Sequence, residues 1–216
     1  MLVPIIFATI YQENTLPMFF LAFTITMIVG FLSWLPARNM KGEIRIRDGF
    51  IITVLFWLVL SIFGALPFAL SQETNLSFID ALFESISGLT TTGATVFTNL
   101  EDLPKSILYY RQQLQWLGGI GIVVIAVSIL PMIGVGGMQI YKAETPGPIK
   151  DTKLTPRIAE TANALFKIYV FLTVVCAIAY WVAGMSWFDA LSHSFSTISI
   201  GGFSTYDESL GHFDNN

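Results

Sequence analysis

Charge is scarce in this chain. Only 12% of its 216 residues are Asp, Glu, Lys or Arg, about half the share in a soluble globular domain. That scarcity, with 54% hydrophobic positions, excludes a disordered chain and a basic nucleic-acid-binding domain. Cysteine is nearly absent: Cys176 stands alone, so no intrachain disulfide forms, and its apolar surroundings predict a small buried hydrophobe. The two histidines, His193 and His212, share no metal-ligand spacing with Cys176 or a carboxylate cluster, and no GxSxG, HExxH or P-loop pattern occurs. Nothing argues for an enzyme, an organic cofactor or a nucleic-acid partner. What is plentiful is apolar: 18 Phe and 5 Trp, with a mean hydropathy of +0.66. An all-α polytopic membrane protein is expected, its apolar faces turned to the lipid bilayer.

Four windows are free of charge over 17 or more residues: Pro17 to Leu35, Phe50 to Ser71, Gln112 to Tyr141, and Ile168 to Asp189 with its charged end trimmed. Each is long enough for a crossing helix. The apolar piece Met1 to Ile10 contains Pro4 and is too short to cross. It lacks the basic start and cleavage site of a signal peptide, and is expected to be the tail of a helix whose beginning is missing. Arg38, Lys41, Arg45 and Arg47 fall between the first two windows, and Lys142, Lys150, Lys153 and Arg157 between the last two. Two loops thus hold 8 of the 11 basic residues, and the positive-inside rule puts both in the cytoplasm. The opposite loops carry Glu73, Asp80, Glu84, Glu101 and Asp102, then Asp189, Asp207, Glu208 and Asp214. An acidic outer face concentrates cations, although carboxylates also simply keep a loop wet.

The sequence repeats. At an offset of 109, Phe78–Thr95 matches Trp187–Ser204 at 6 of 18 positions: Asp80, Ala81, Leu82, Ser85, Ser87 and Gly93 against Asp189, Ala190, Leu191, Ser194, Ser196 and Gly202. Each copy comes after an apolar span. The segments Phe78 to Leu89 and Trp187 to Ile198 would extend only about 18 Å as helices, too short to cross a hydrocarbon core of about 30 Å. They are expected to be re-entrant, with Asp80 and Asp189 capping their starts and their negative dipole ends aimed at the loop beyond. Glu84 and His193 occupy equivalent positions and are expected to be polar partners for neighbouring helices.

Beyond the short segments lie Thr90 to Thr95 in one copy and Ser199 to Ser204 in the other. These are expected to be extended. Non-helical backbone at membrane depth needs surrounding protein or a watery path. Backbone carbonyls in that setting can replace the hydration shell of a potassium ion, and a nearby glycine permits the required dihedrals. A plain hairpin turn would also use glycine, but two copies at matched positions favour a filter.

The stretches SGLTTTGAT, YYRQQLQWLGGIGIVV, ILPMIGVGGMQIYKAETPGPIKD and SISIGGFST resemble the TrkH family, the membrane subunits of the bacterial Trk potassium uptake system, within the wider Trk/Ktr/HKT superfamily. The resemblance runs the length of the chain. It implies repeated units of helix, pore helix, filter loop and helix, four to a chain and arranged as in a potassium channel, with one filter glycine per repeat. It implies a multi-pass protein of the bacterial inner membrane that takes up potassium as a homodimer, with a cytosolic nucleotide-binding regulatory subunit, TrkA, meeting the segment Tyr141 to Glu160. Carried over, the potassium-binding carbonyls fall on Thr91, Thr92, Ile200 and Gly201, and the shaping glycines are Gly93 and Gly202. Sodium-permeable relatives have serine in the first filter, so Gly93 favours potassium.

Family chains are about twice as long, so this one is expected to be an N-terminal fragment that carries an incomplete pore. Residues 1–48 would hold a leading helix pair and a basic loop, 49–141 the first pore repeat, 142–160 a cytoplasmic linker, and 161–216 a second repeat without its last helix. Two rival readings remain: a sodium-permeable relative, and a non-conducting assembly or regulatory subunit. Gly118, Gly119, Gly121, Gly134, Gly136 and Gly137 are expected to serve close helix packing or local flexibility rather than nucleotide binding. Arg111 is expected at the outer interface, snorkelling or paired with a carboxylate such as Glu101.

Overall fold

The structure, a computed structural model, describes residues 1–38, 46–133 and 154–215. These form seven α-helices: α1 (Leu2–Ile10), α2 (Leu16–Ala37), α3 (Ile46–Leu70), α4 (Phe78–Leu89), α5 (Lys105–Ile133), α6 (Leu154–Val182) and α7 (Trp187–Ser199). Pro4 sits in the first turn of α1, where a missing N–H costs no intrahelical bond. Among the described residues, three segments are long and apolar enough to cross a membrane: Leu16–Ala37, Ile51–Leu70 and Glu160–Val182. Their outward faces are bare hydrocarbon, with Phe20, Val54 and Phe171 all exposed, as lipid-facing surfaces should be. Cys176 lies on α6 and is half-buried rather than fully enclosed.

The third expected span differs at its start. Helix α5 begins at Lys105, seven residues before Gln112. A charge-free window stops at Arg111, but a helix does not stop at an arginine whose charge is matched inside the protein. The start is fixed instead by Glu13, whose carboxylate accepts from the backbone N–H of Lys105 at 2.6 Å and of Ser106 at 3.1 Å. A carboxylate there satisfies free N–H groups and the positive end of the dipole. The last span ends at Val182 rather than running to Asp189: Gly184, at φ +107°, turns the chain sharply before α7.

Helix α5 is the centre of the assembly. It packs on α1, α3, α4, α6 and α7, while α3 lies against α4 and α6 against α7. The core along it is aromatic: Phe7 stacks on Tyr109 with centroids 4.1 Å apart, and Phe19 and Phe68 meet Tyr110 at 5.5 and 5.2 Å. Such pairs add to simple burial. Small residues bring backbones together. A Cβ added to Gly118 would run into the Leu89 carbonyl, and one on Gly119 into Tyr169 and Ser199. Close packing is thus the role of these glycines and of Gly121, which meets Trp57. Gly134, Gly136 and Gly137 lie outside the described residues, as do the loop 39–45 and most of the segment Tyr141 to Glu160.

Gly118→Ala should cost about 1–3 kcal/mol, the usual penalty for overpacking a filled site. Gly30→Ala, with nothing within 4 Å of the added Cβ, should be neutral or stabilise by up to about 1 kcal/mol. Thermal unfolding of the intact protein in detergent separates the two.

Candidate cation-filter site

The two short helices begin alike. Ser77 and Ser186 are the N-caps, accepting from the backbone N–H of Asp80 at 3.2 Å and Asp189 at 3.1 Å. Each serine hydroxyl donates in return to the aspartate carboxylate, at 2.7 and 2.6 Å. The aspartates therefore brace the caps rather than cap directly, and serine stands one residue before the matched segments. Asp189 does more: buried, it also accepts from the hydroxyls of Thr205 at 2.9 Å and Tyr206 at 3.2 Å.

The helices also end alike. Backbone N–H groups of Thr91 and Thr92 donate to Gly88 and Ser87, and those of Ile200 and Gly201 donate to Thr197 and Ser196. This paired closure normally ends in a glycine with positive φ. Here the position is held by Thr91 at φ +55° and Ile200 at φ +58°. A β-branched residue in the left-handed region costs roughly 1–2 kcal/mol. Two residues on, Gly93 has φ +78° and Gly202 φ +82°. Beyond them both loops continue without regular secondary structure. The same strain is thus repeated at equivalent positions of the two copies.

The structure brings the two loops together. A Cβ on Gly93 would overlap the Gly201 carbonyl, whereas one on Gly202 would meet nothing within 4 Å. Thr92 is exposed, Thr91 and Gly93 are half-buried, Ile200 is 88% exposed, Gly201 is buried and Gly202 is exposed. Among the described residues, no hydrogen bond ends on the carbonyls of Thr91, Thr92 or Ile200. The Gly201 carbonyl accepts from Gln115 Nε2 at 2.6 Å, which leaves its second lone pair.

Behind the loops lies a buried charge cluster. Arg111 is fully buried, not at the outer interface, and its partner is Glu84 on α4 rather than Glu101. Its Nε donates to Glu84 Oε1 at 2.7 Å, with both side chains 0% exposed. Arg111 Nη2 donates to the Thr95 hydroxyl at 2.9 Å and Nη1 to the Ser204 carbonyl at 3.1 Å. Its guanidinium lies 4.3 Å from the Phe203 ring centroid. Glu84 also accepts from the Thr95 hydroxyl and the Val96 N–H, each at 3.0 Å. In the second copy His193 replaces Glu84 and Ser204 replaces Thr95. His193 Nδ1 donates to the Asp189 carbonyl at 2.9 Å, since a carbonyl can only accept, and Nε2 meets the Ser204 hydroxyl at 3.1 Å. Glu84 is the polar partner of a neighbouring helix expected of it, whereas His193 bonds to its own helix and to the loop beyond it. Sequence reasoning missed Gln112, whose Nε2 donates to the Phe203 carbonyl at 3.0 Å, and Gln115. Both sit inside an apolar window, where an amide needs a partner, and that was the available signal.

Asp207, just beyond the second loop, accepts from the N–H groups of Asn99 and Leu100 at 2.8 and 3.2 Å. It thereby caps the short 3₁₀ turn Leu100–Asp102 of the first repeat.

Helices long and apolar enough to cross a membrane, two of which, α3 and α6, are each followed by a helix too short to cross and a loop with left-handed residues, define an all-helical multi-pass membrane protein. A family model described as "TrkH: Cation transport protein" matches residues 15–216. The chain belongs to the TrkH family. It is 58% identical to the Trk system potassium uptake protein TrkH of Vibrio parahaemolyticus over 99% of this chain and 44% of that protein. It is 57% identical to the TrkH of Escherichia coli K12 over the same shares, and 48% identical to the TrkG of that organism. The crystal structure of the potassium transporter TrkH from Vibrio parahaemolyticus superposes with a TM-score of 0.85 at 51% identity, covering 99% of this chain and 42% of that one. The chain therefore spans less than half the length of the relatives it matches.

Arg111→Met would leave Glu84 charged, buried and unpaired, and should destabilise the intact protein by about 3–5 kcal/mol. Adding Glu84→Gln should recover part of that loss, so that the two changes together cost less than their sum. Unfolding of the two single variants and the double variant in detergent reads the coupling.

Proposed function

We propose that this chain is part of a potassium-translocating subunit of the bacterial inner membrane, and that its role is transport, not catalysis. Backbone carbonyls of Thr91 and Thr92 in one loop and of Ile200 and Gly201 in the other replace water around a potassium ion. Gly93 and Gly202 shape the loops. The observation that carries this reading is the same alternating left-handed backbone at the end of both short helices. The helix ends favour a cation, and carbonyl oxygens are the ligands that suit potassium. Relatives more than half identical bear the name of potassium uptake proteins.

The two loops form half of a ring of four. Residues 49–141 and 161–216 are two of its repeats, 142–160 a cytoplasmic linker and 1–48 a leading helix pair. The working assembly is a homodimer, and the basic cytoplasmic face meets the nucleotide-binding subunit TrkA. Potassium enters down the membrane potential, which supplies about 2.3 kcal/mol per charge per 100 mV.

The test is growth at low potassium of a bacterial strain stripped of its own uptake systems and expressing the intact protein. Wild type should rescue growth. Gly93→Ala should abolish rescue, because the added Cβ overlaps the Gly201 carbonyl. Gly202→Ala meets no atom and should retain part of it, bearing only the left-handed strain of roughly 1–2 kcal/mol. Failure of the membrane-inserted wild type to rescue would leave the non-conducting reading, and rescue abolished equally by sodium excess would favour the sodium-permeable one.

A further inference from the structure

Gln115 stands on α5, in the first repeat, yet both ends of its amide engage the second loop. Its Nε2 donates to the Gly201 carbonyl at 2.6 Å, and its Oε1 accepts from the Phe203 N–H at 3.1 Å. The side chain is fully buried, and a Cβ on Gly201 would overlap its amide. The first loop has no counterpart: among the described residues, no side chain donates to the Thr92 carbonyl, which holds the equivalent position. The two loops share a backbone but present carbonyls of unequal strength.

That inequality bears on ion choice. Discrimination between potassium and sodium depends on the number and field strength of the coordinating carbonyls and on how closely they can approach. Sodium is the smaller ion and needs the stronger, more mobile field. A carbonyl with one lone pair held by a buried amide donor offers a cation less negative charge, and it cannot swing inward to follow a smaller ion.

We propose that Gln115 is a specificity-determining residue that tunes the loop of the neighbouring repeat, disfavouring sodium by engaging and fixing the Gly201 carbonyl. The proposal rests on the reading of these loops as a potassium filter. Gln115→Glu keeps an acceptor for the Phe203 N–H but sets an oxygen against the Gly201 carbonyl. Gln115→Leu removes both bonds.

The experiment reconstitutes the intact protein in liposomes and measures the potassium concentration for half-maximal uptake and the sodium concentration for half inhibition. Their ratio does not depend on how much protein is active. Loss of the hydrogen bond to the Gly201 carbonyl, common to both variants, should narrow the preference for potassium by roughly three- to tenfold. A ratio that stays within about twofold of wild type while the rate falls would overturn the proposal and leave Gln115 as a brace. For a variant without flux, protection of the purified protein against heat by potassium and by sodium gives the same ratio. A narrowed ratio supports the proposal, and an unchanged ratio, or no protection by either ion, overturns it. If the wild type itself prefers neither ion, the filter reading fails first and takes this proposal with it.

Discussion

The ion pair between Arg111 and Glu84 is the constraint on which the rest of the structure turns. Both side chains are fully buried, among helices that lie in a membrane. Desolvating two charges costs several kcal/mol each, and Coulomb attraction alone does not return it. The deficit is met by further hydrogen bonds to both groups. Glu84 takes the Thr95 hydroxyl and the Val96 N–H, while Arg111 takes Thr95, the Ser204 carbonyl and the face of Phe203. These partners belong to α4, to both candidate filter loops and to α5. Satisfying the charges therefore fixes four pieces of chain at once, and a displaced loop would leave a charge bare.

This bracing explains how strained loops persist. Thr91 and Ile200 adopt a backbone that β-branched residues avoid, and such residues stay put only where their surroundings leave no alternative. The caps Ser77 and Ser186 fix where each short helix begins, the aromatic cluster at Tyr109 and Tyr110 fixes α5 between them, and Gly118 brings α5 against the Leu89 carbonyl at the very end of α4. With helix, neighbour and rear support all set, the loop has one path to take.

Much of this was legible in the sequence. Span lengths and the 109-residue repeat placed α2, α3, α6 and both short helices, and Gly93 and Gly202 took the positive φ expected of them. The resemblance to the TrkH family agreed with the matches found for the chain. Polar pairing across elements was not legible. A search for charge-free windows treats Arg111 as a boundary, but a charge neutralised 27 residues away in sequence does not end a helix. Glutamines count as mildly unfavourable in an apolar window, yet Gln112 and Gln115 are there because they have partners on a loop nearly 90 residues downstream. The cap at Ser77 and Ser186 fell one residue outside the compared segments, and it is itself identical in the two copies. Hydrophobic period and local motif locate elements, whereas long-range pairing decides how they are held.

The same pairing explains why similar backbones carry dissimilar side chains. The backbone of the two loops repeats, with positive φ at Thr91 and Gly93 in one and at Ile200 and Gly202 in the other. The supports behind the loops do not repeat, since each fits a different neighbour. Thus Glu84 gives way to His193, which is served locally by the Asp189 carbonyl and the Ser204 hydroxyl rather than by an arginine. Arg111, Gln112 and Gln115 lie within five positions of one helix, and all three donate to carbonyls of the second repeat. Helix α5 therefore holds Glu84 of the first copy and the loop of the second. Neither repeat is a self-sufficient unit: the first completes the second, and through Asp207 the second caps the first. Divergence in sequence between the copies is a consequence of this interlocking, and it leaves the repeated backbone intact.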